Sequence, residues 1–250
     1  MPAGGPDPDT WRQRRTSFGS VAAGYAAHRP DYPADAVAFL VGASPRRVLD
    51  LGAGTGLLTG VLLTAGHEVV AVDPAGEMLA ELRARYPQVT AHVGDAEAVP
   101  LPDGSVDAVV AGQAAHWFDP EPAAAQLRRV LRPGGVVGLV WNTRDEEVPW
   151  VAALGRVLAD EARGHEADRG VVDAFARALG AQVEHHRSGI VQRLSPSRSS
   201  PASPRAATSP RWTTHGGRRS WARCARCSTP TPTPAAATSS TCRTGPTPTG

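Results

Sequence analysis

Residues 46–60, RRVLDLGAGTGLLTG, carry the densest chemical signal in the chain. An apolar run containing Asp50 (Val48-Leu49-Asp50-Leu51) meets Gly52-Ala53-Gly54-Thr55-Gly56, and apolar residues then resume at helical spacing. The pattern predicts a buried parallel strand, a tight turn and the opening of a helix. Glycines let the backbone turn sharply and approach a ligand closely, and the free N–H groups of the helix start suit a carboxylate or phosphate. A second β-branched run, HEVVAVD at 67–73, ends in Asp73 about twenty residues beyond the loop. A carboxylate there can accept from both hydroxyls of a ribose. Taken alone, Asp73 would serve equally as a cap for the helix that follows, AGEMLAELRARY.

Spacing separates the ligand classes that use such a loop. A dinucleotide fingerprint, G-x-G-x-x-G, needs a glycine at position 57. That residue is Leu57, and the third glycine arrives one residue early, at Gly56. G-x-G-x-G after an Asp-containing strand resembles motif I of the class I S-adenosylmethionine-dependent methyltransferases. Three further stretches resemble the methyltransferase type 11 domains of that class. They are Phe18, Ala22, Tyr25, Arg29, Pro30, Tyr32 and Pro33 near the N-terminus; Gly94-Asp95-Ala96-Glu97 with Leu101-Pro102 and Ser105-x-Asp107; and Leu131-Arg132-Pro133-Gly134-Gly135.

The resemblance, over about residues 16–190, implies a set of roles. Asp50, Gly52, Ala53, Gly54 and Gly56 would surround S-adenosyl-L-methionine at the loop, and Asp73 would take its ribose. Met78 would face the adenine. Asp95 would accept from the adenine amino group while the Ala96 N–H meets a ring nitrogen, and Gln113 would complete the cofactor side. Tyr25 and Arg29 lie in the N-terminal segment that covers the pocket in this family. His116 and Trp117 follow a strand end where substrate arrives. His116 is then either a general base or hydrogen-bond partner for the substrate, or a structural histidine steadying its loop. No metal is implied.

These side chains require a frame. Strands are predicted at 47–51, 67–73, about 90–94, 106–111, 136–142 and 182–191. Helices alternate with them at 34–42, about 55–65, 75–86, 120–131, about 148–162 and 168–179, the last two as one wall of a substrate pocket. Alternating strands and helices predict an α/β fold, a doubly wound, mostly parallel Rossmann-like sheet. The domain is expected over 16–192, behind a disordered Gly/Pro/Asp-rich segment at 1–15. The expected C-terminal strand is missing from this reading.

The net charge of +2 hides an asymmetry. Up to His186 there are 16 Arg and 24 acidic residues, a net of −8; beyond it there are 10 Arg and no acid. An acidic body argues against nucleic-acid substrates. No apolar run approaches a membrane span and the N-terminus lacks a secretory h-region, so a cytoplasmic protein is expected. Cys224 and Cys227 have metal or redox spacing without a second ligand pair.

Residues 193–250 form a Ser/Thr/Pro/Arg-rich tail. After Leu194, 56 residues contain no Leu, Ile, Val, Phe, Met or Tyr, which predicts disorder. All 26 basic residues are Arg, a mark of a GC-rich gene. With GC-rich codons, Trp212–Pro232 read one base earlier becomes an acid-started amphipathic helix. Ser239–Gly250 likewise becomes a sequence similar to the closing strand of type 11 domains. The tail is therefore read as frame-shifted. The expected function is methyl transfer to a small-molecule acceptor. The alternatives are a cofactor-binding remnant without activity, or a nicotinamide-dependent oxidoreductase, which Leu57 disfavours.

Overall fold

The computed structural model describes residues 31–157, 165–192 and 235–245. In chain order the elements are α1 (Ala34–Val41), β1 (Arg47–Leu51), α2 (Leu57–Thr64), β2 (Glu68–Asp73), α3 (Gly76–Arg85), β3 (Thr90–Val93) and β4 (Val106–Gly112). A 3₁₀ turn follows at Ala115–Trp117, then α4 (Pro120–Val130), β5 (Leu131–Arg144), α5 (Pro149–Val157), α6 (His165–Leu179), β6 (Gln182–Gln192) and β7 (Ala235–Gly245). The predicted elements up to β6 are present, with ends shifted by a few residues.

The sheet order is β3-β2-β1-β4-β5-β7-β6. The β1–β2, β1–β4, β2–β3 and β4–β5 pairs are all parallel. β1 lies inside the sheet between β2 and β4, and the strand order reverses between β1 and β4. Ligands of open α/β sheets bind beyond strand ends at such a reversal. β5 runs further toward the N-terminus than predicted. Leu131 already pairs with Val106, and regular pairing resumes at Val136 opposite Ala108 after a register shift. Arg132–Gly135, expected as a helix stop, accommodate that shift with Gly134 at φ +78°.

Both faces of β1 are covered, as a parallel sheet requires. On one side Leu49, Leu51, Val109, Leu127, Val137 and Phe175 share a core with residues of α4 and α6. On the other, Val48, Val110 and Val140 pack with Leu40 of α1 and Leu62 of α2. Polar contacts also fix α1. The Ser188 hydroxyl donates to Asp35 Oδ2 at 2.6 Å, His186 Nε2 lies 3.2 Å from the same oxygen, and the His186 ring stacks on Phe39. Ser188 and His186 hold the Asp35 carboxyl below its ordinary value.

The expectation of a missing strand is corrected by β7, which lies between β5 and β6. A ladder is made by backbone N–H and C=O groups, so an extended segment can pair without an apolar pattern. AAATSSTCRTG offered no such pattern to read. The remainder of the tail, the 1–15 segment, Tyr25, Arg29, Cys224 and Cys227 lie outside the described residues.

Two compact units divide the chain. The first comprises, among described residues, 31–143, 165–188 and 239–245; the second comprises 144–157, 189–192 and 235–238. In the second unit a turn between Val148 N–H and the Asp145 carbonyl leads into α5, whose Val151 is buried. Among the described residues no helix is long and apolar enough to cross a membrane.

Candidate functional site

The glycine loop leaves β1 through three left-handed positions, Gly52 at φ +73°, Gly54 at +56° and Gly56 at +85°. Their reasons differ. A Cβ on Gly52 would stand 2.5 Å from the Ala114 Cβ, and one on Gly56 would press on Leu82 and Tyr86. These two glycines are demanded by packing. Gly54 has nothing within 4 Å of such a Cβ, so its open face borders space a ligand can use. Gly52 and Ala53 N–H both donate to the Val72 carbonyl, fastening the loop to β2.

Asp73, at the end of β2, holds the loop from the other side. Its Oδ2 accepts from Gly54 N–H at 2.9 Å and its Oδ1 from Ala75 N–H at 2.8 Å. One carboxylate thus ties the glycine loop to the residue from which α3 starts, through backbone N–H groups on both sides. Each carboxylate oxygen has further lone pairs for a ligand hydroxyl. Met78 is buried and clusters with Ala75, apart from the main cores. Gly94 N–H donates to the Asp73 carbonyl, which brings Asp95, Ala96 and Glu97 beside the same strand end. Asp95 is exposed and Ala96 is buried. Glu97 accepts from Asp119 N–H at 2.8 Å, steadying the start of α4.

Asp50 is 1% exposed. Its Oδ2 accepts from the Thr59 hydroxyl at 2.6 Å, while Oδ1 is buried without a hydrogen-bond partner. Burial pushes its carboxyl up to about 7, opposed by the Thr59 hydrogen bond and reinforced by the nearby charge of Asp73. A buried acceptor left unpaired is costly unless it serves a ligand.

At the end of β4, Gln113 adopts φ +55°, a conformation that costs a non-glycine residue on the order of 1 kcal/mol. Its N–H donates to the Val140 carbonyl and its Nε2 to the Asn142 carbonyl at 2.7 Å. Those bonds hold the strained turn that swings the chain into Ala115–Trp117. His116 is thereby set half-buried, with its ring 5.0 Å from Trp117 and its Nδ1 3.5 Å from Trp141 Nε1. The indole can only donate, so Nδ1 is the acceptor in this long contact.

The loop from Val99 to Asp103 is fastened by Arg129 of α4. Its guanidinium donates to the Val99 and Leu101 carbonyls, to Asp103 and to Gln126. Sequence reading missed Thr59, Trp141 and Arg129. A polar residue early in LLTGVLLT, between leucines and Gly60, was the one available signal for Thr59.

The methyltransferase domain model matches residues 49–139, from within β1 to within β5, a span that includes Asp50, Asp73, Asp95, Gln113 and His116. A malonyl-[acyl-carrier protein] O-methyltransferase of Enterobacter lignolyticus is 33% identical over 188 residues, 66% of this chain and 74% of that protein. The chain belongs to the class I S-adenosylmethionine-dependent methyltransferases. An uncharacterised methyltransferase of Mycobacterium tuberculosis is 55% identical over 147 residues, 59% of this chain. The chain spans 60% of the length of that relative. Among solved structures, a putative type II methyltransferase from Anaeromyxobacter dehalogenans aligns with TM-score 0.60 and 28% identity, over 87% of this chain and 97% of that one. Membership in this methyltransferase family accords with the G-x-G-x-G spacing and with the parallel β3-β2-β1-β4-β5 order.

Proposed function

We propose that the protein binds S-adenosyl-L-methionine at the β1–β2 strand ends and transfers its methyl group to a small-molecule acceptor. One observation carries the reading. Asp50 and Asp73 flank the glycine loop, with a buried unpaired oxygen on the first and the open face of Gly54 between strand ends. Such a pair suits a ligand with a cationic amino-acid end and a ribose. When bound, the donor supplies an activated methyl group on a sulfonium.

The chain's own residues then have distinct tasks. Gly52, Ala53, Gly54 and Gly56 admit the amino-acid end beside Asp50. Asp73 accepts from the ribose hydroxyls while its backbone bonds keep it in place. Met78 offers apolar contact to the base, the Ala96 N–H a donor to a ring nitrogen, and Asp95 an acceptor for its amino group. Gln113 holds the turn bearing His116 and Trp117 on the acceptor side, with Tyr25 and Arg29 assigned there from their motif. The protein mainly aligns donor and nucleophile and excludes water. The net acidity of the body supports a small molecule over a nucleic acid. The cytoplasm is the compartment this reading fits.

Calorimetry on Asp73→Ala tests the assignment. Loss of the charged acceptor should weaken donor and product binding by about 1.5–3 kcal/mol, roughly tenfold to a hundredfold. Unchanged affinity in a folded variant, or binding of NAD in place of the methyl donor, would overturn it. A screen of metabolites with labelled donor then identifies the acceptor. On that acceptor, His116→Gln should lower turnover while donor affinity stays as in wild type.

A further inference from the structure

Thr59 is fully buried on the first turns of α2, surrounded by leucines and valines. A threonine in a helix commonly bonds back to the carbonyl of the preceding turn. This hydroxyl instead reaches nine residues back, to Asp50 Oδ2 at 2.6 Å, a short hydrogen bond. The other oxygen, Oδ1, is buried with no partner. The carboxyl is thus half satisfied, and the missing half is on the oxygen that nothing in the described chain reaches.

We propose that Thr59 is a positioning residue that poises Asp50 to give up its proton when a cationic group of the methyl donor arrives. The inference rests on the donor site proposed above and concerns how that site is charged.

The charges around Asp50 set the direction. β2 contributes the Asp73 carboxylate, which disfavours a second negative charge. The paired residues of β2 and β4, Ala71 and Val110, are apolar. α2 contributes the Thr59 hydroxyl and no ionisable group. Among the described residues the ionised form is therefore stabilised only by Thr59, chiefly through its hydroxyl and more weakly through its backbone. In the free protein burial holds the carboxyl up near 7, so at neutral pH much of it is protonated. A cation at Oδ1 restores the balance. The O–H bond of Asp50 breaks, the electron pair stays on the carboxylate, and the proton passes to the buffer. Donor affinity should then fall about tenfold per pH unit below 7 and level off above it. The Asp50–Asp73 pair titrates together, so the measured midpoint belongs to the pair.

The donor has two cationic centres, a sulfonium and an α-ammonium, whereas the demethylated product keeps only the ammonium. Titration calorimetry of the full chain, in buffers of low and high ionisation enthalpy between pH 5.5 and 9, counts the protons released by each ligand. Release with both ligands identifies the ammonium as the group facing Asp50; release with the donor alone identifies the sulfonium. Thr59→Val removes the hydroxyl at nearly constant shape. It should move the acid limb of donor affinity to higher pH, giving about a tenfold loss at pH 7 that closes by about pH 9. Thr59→Ser should behave as wild type.

Donor binding with no buffer-dependent proton release would overturn the inference and leave the donor site standing. A loss in Thr59→Val that is equal at every pH would reduce Thr59 to packing and overturn it too. Failure of the wild-type chain to bind donor would sink both readings. Should Thr59→Val fail to fold, the wild-type proton count alone decides.

Discussion

Gly52 and Gly54 look alike in sequence and in backbone angle, yet a methyl group added to each should act differently. At Gly52 it meets the Ala114 Cβ at 2.5 Å, backbone-borne atoms that cannot turn away. Gly52→Ala should therefore destabilise the fold by several kcal/mol, read as a lowered melting temperature. At Gly54 it enters open space and costs only the left-handed strain, about 1 kcal/mol. Gly54→Ala should stay folded and lose donor binding. Retained binding in Gly54→Ala would show that the open face does not border the ligand. Asp73 couples to the same question, because its Oδ2 is tied to the Gly54 N–H.

Among the elements, α4 does more than cover the sheet. Its Arg129 bonds the Val99 and Leu101 carbonyls together with Asp103 and Gln126, and so pins the loop that joins the Gly94–Glu97 motif to β4. The planar fork presents five donors spread over a fixed plane, whereas an ammonium presents three from a single atom. Arg129→Lys should keep the charge and still cost about 1–2 kcal/mol of stability. Faster amide hydrogen exchange in residues 99–103 should accompany the loss. A variant whose exchange there is unchanged would show that packing alone holds the loop. The Asp35 clamp on α1 belongs to the same class of contact, with stability present above the ordinary carboxylate value and lost as pH falls through the lowered one.

At the scale of the molecule, composition changes sharply along the chain. The acidic body ends near His186, and the tail brings 10 Arg and no acid. The 147 residues shared with the mycobacterial relative are 59% of this chain and 60% of that one, so the two are of nearly equal length and the match omits two-fifths of each. We hold to the proposal that residues from about 195 onward derive from a shifted reading frame. The gene should be open one base earlier across residues 200–250, and the corrected chain should express better and methylate more strongly. A stop codon in that frame would end the idea. Because β7 fills the place between β5 and β6, the gain should come from apolar side chains that the present strand lacks, not from closing an empty gap in the ladder.

What the sequence alone determined was local. Apolar runs and helical spacing located β1, α2, β2 and β4 to within a few residues, and the glycine spacing picked out residues that the structure places at neighbouring strand ends. These signals are readable because each depends on neighbours along the chain. Tertiary structure decided what depends on residues far apart in sequence: that Gly52 is demanded by Ala114, that Trp141 faces His116, and that Arg129 holds Val99. It also decided that Thr59 serves Asp50 and leaves Oδ1 bare, since burial and pairing exist only once α2 has packed on β1. β7 was unreadable for the opposite reason. Its ladder is made by the backbone, which every residue carries, and AAATSSTCRTG adds no side-chain pattern that could announce it.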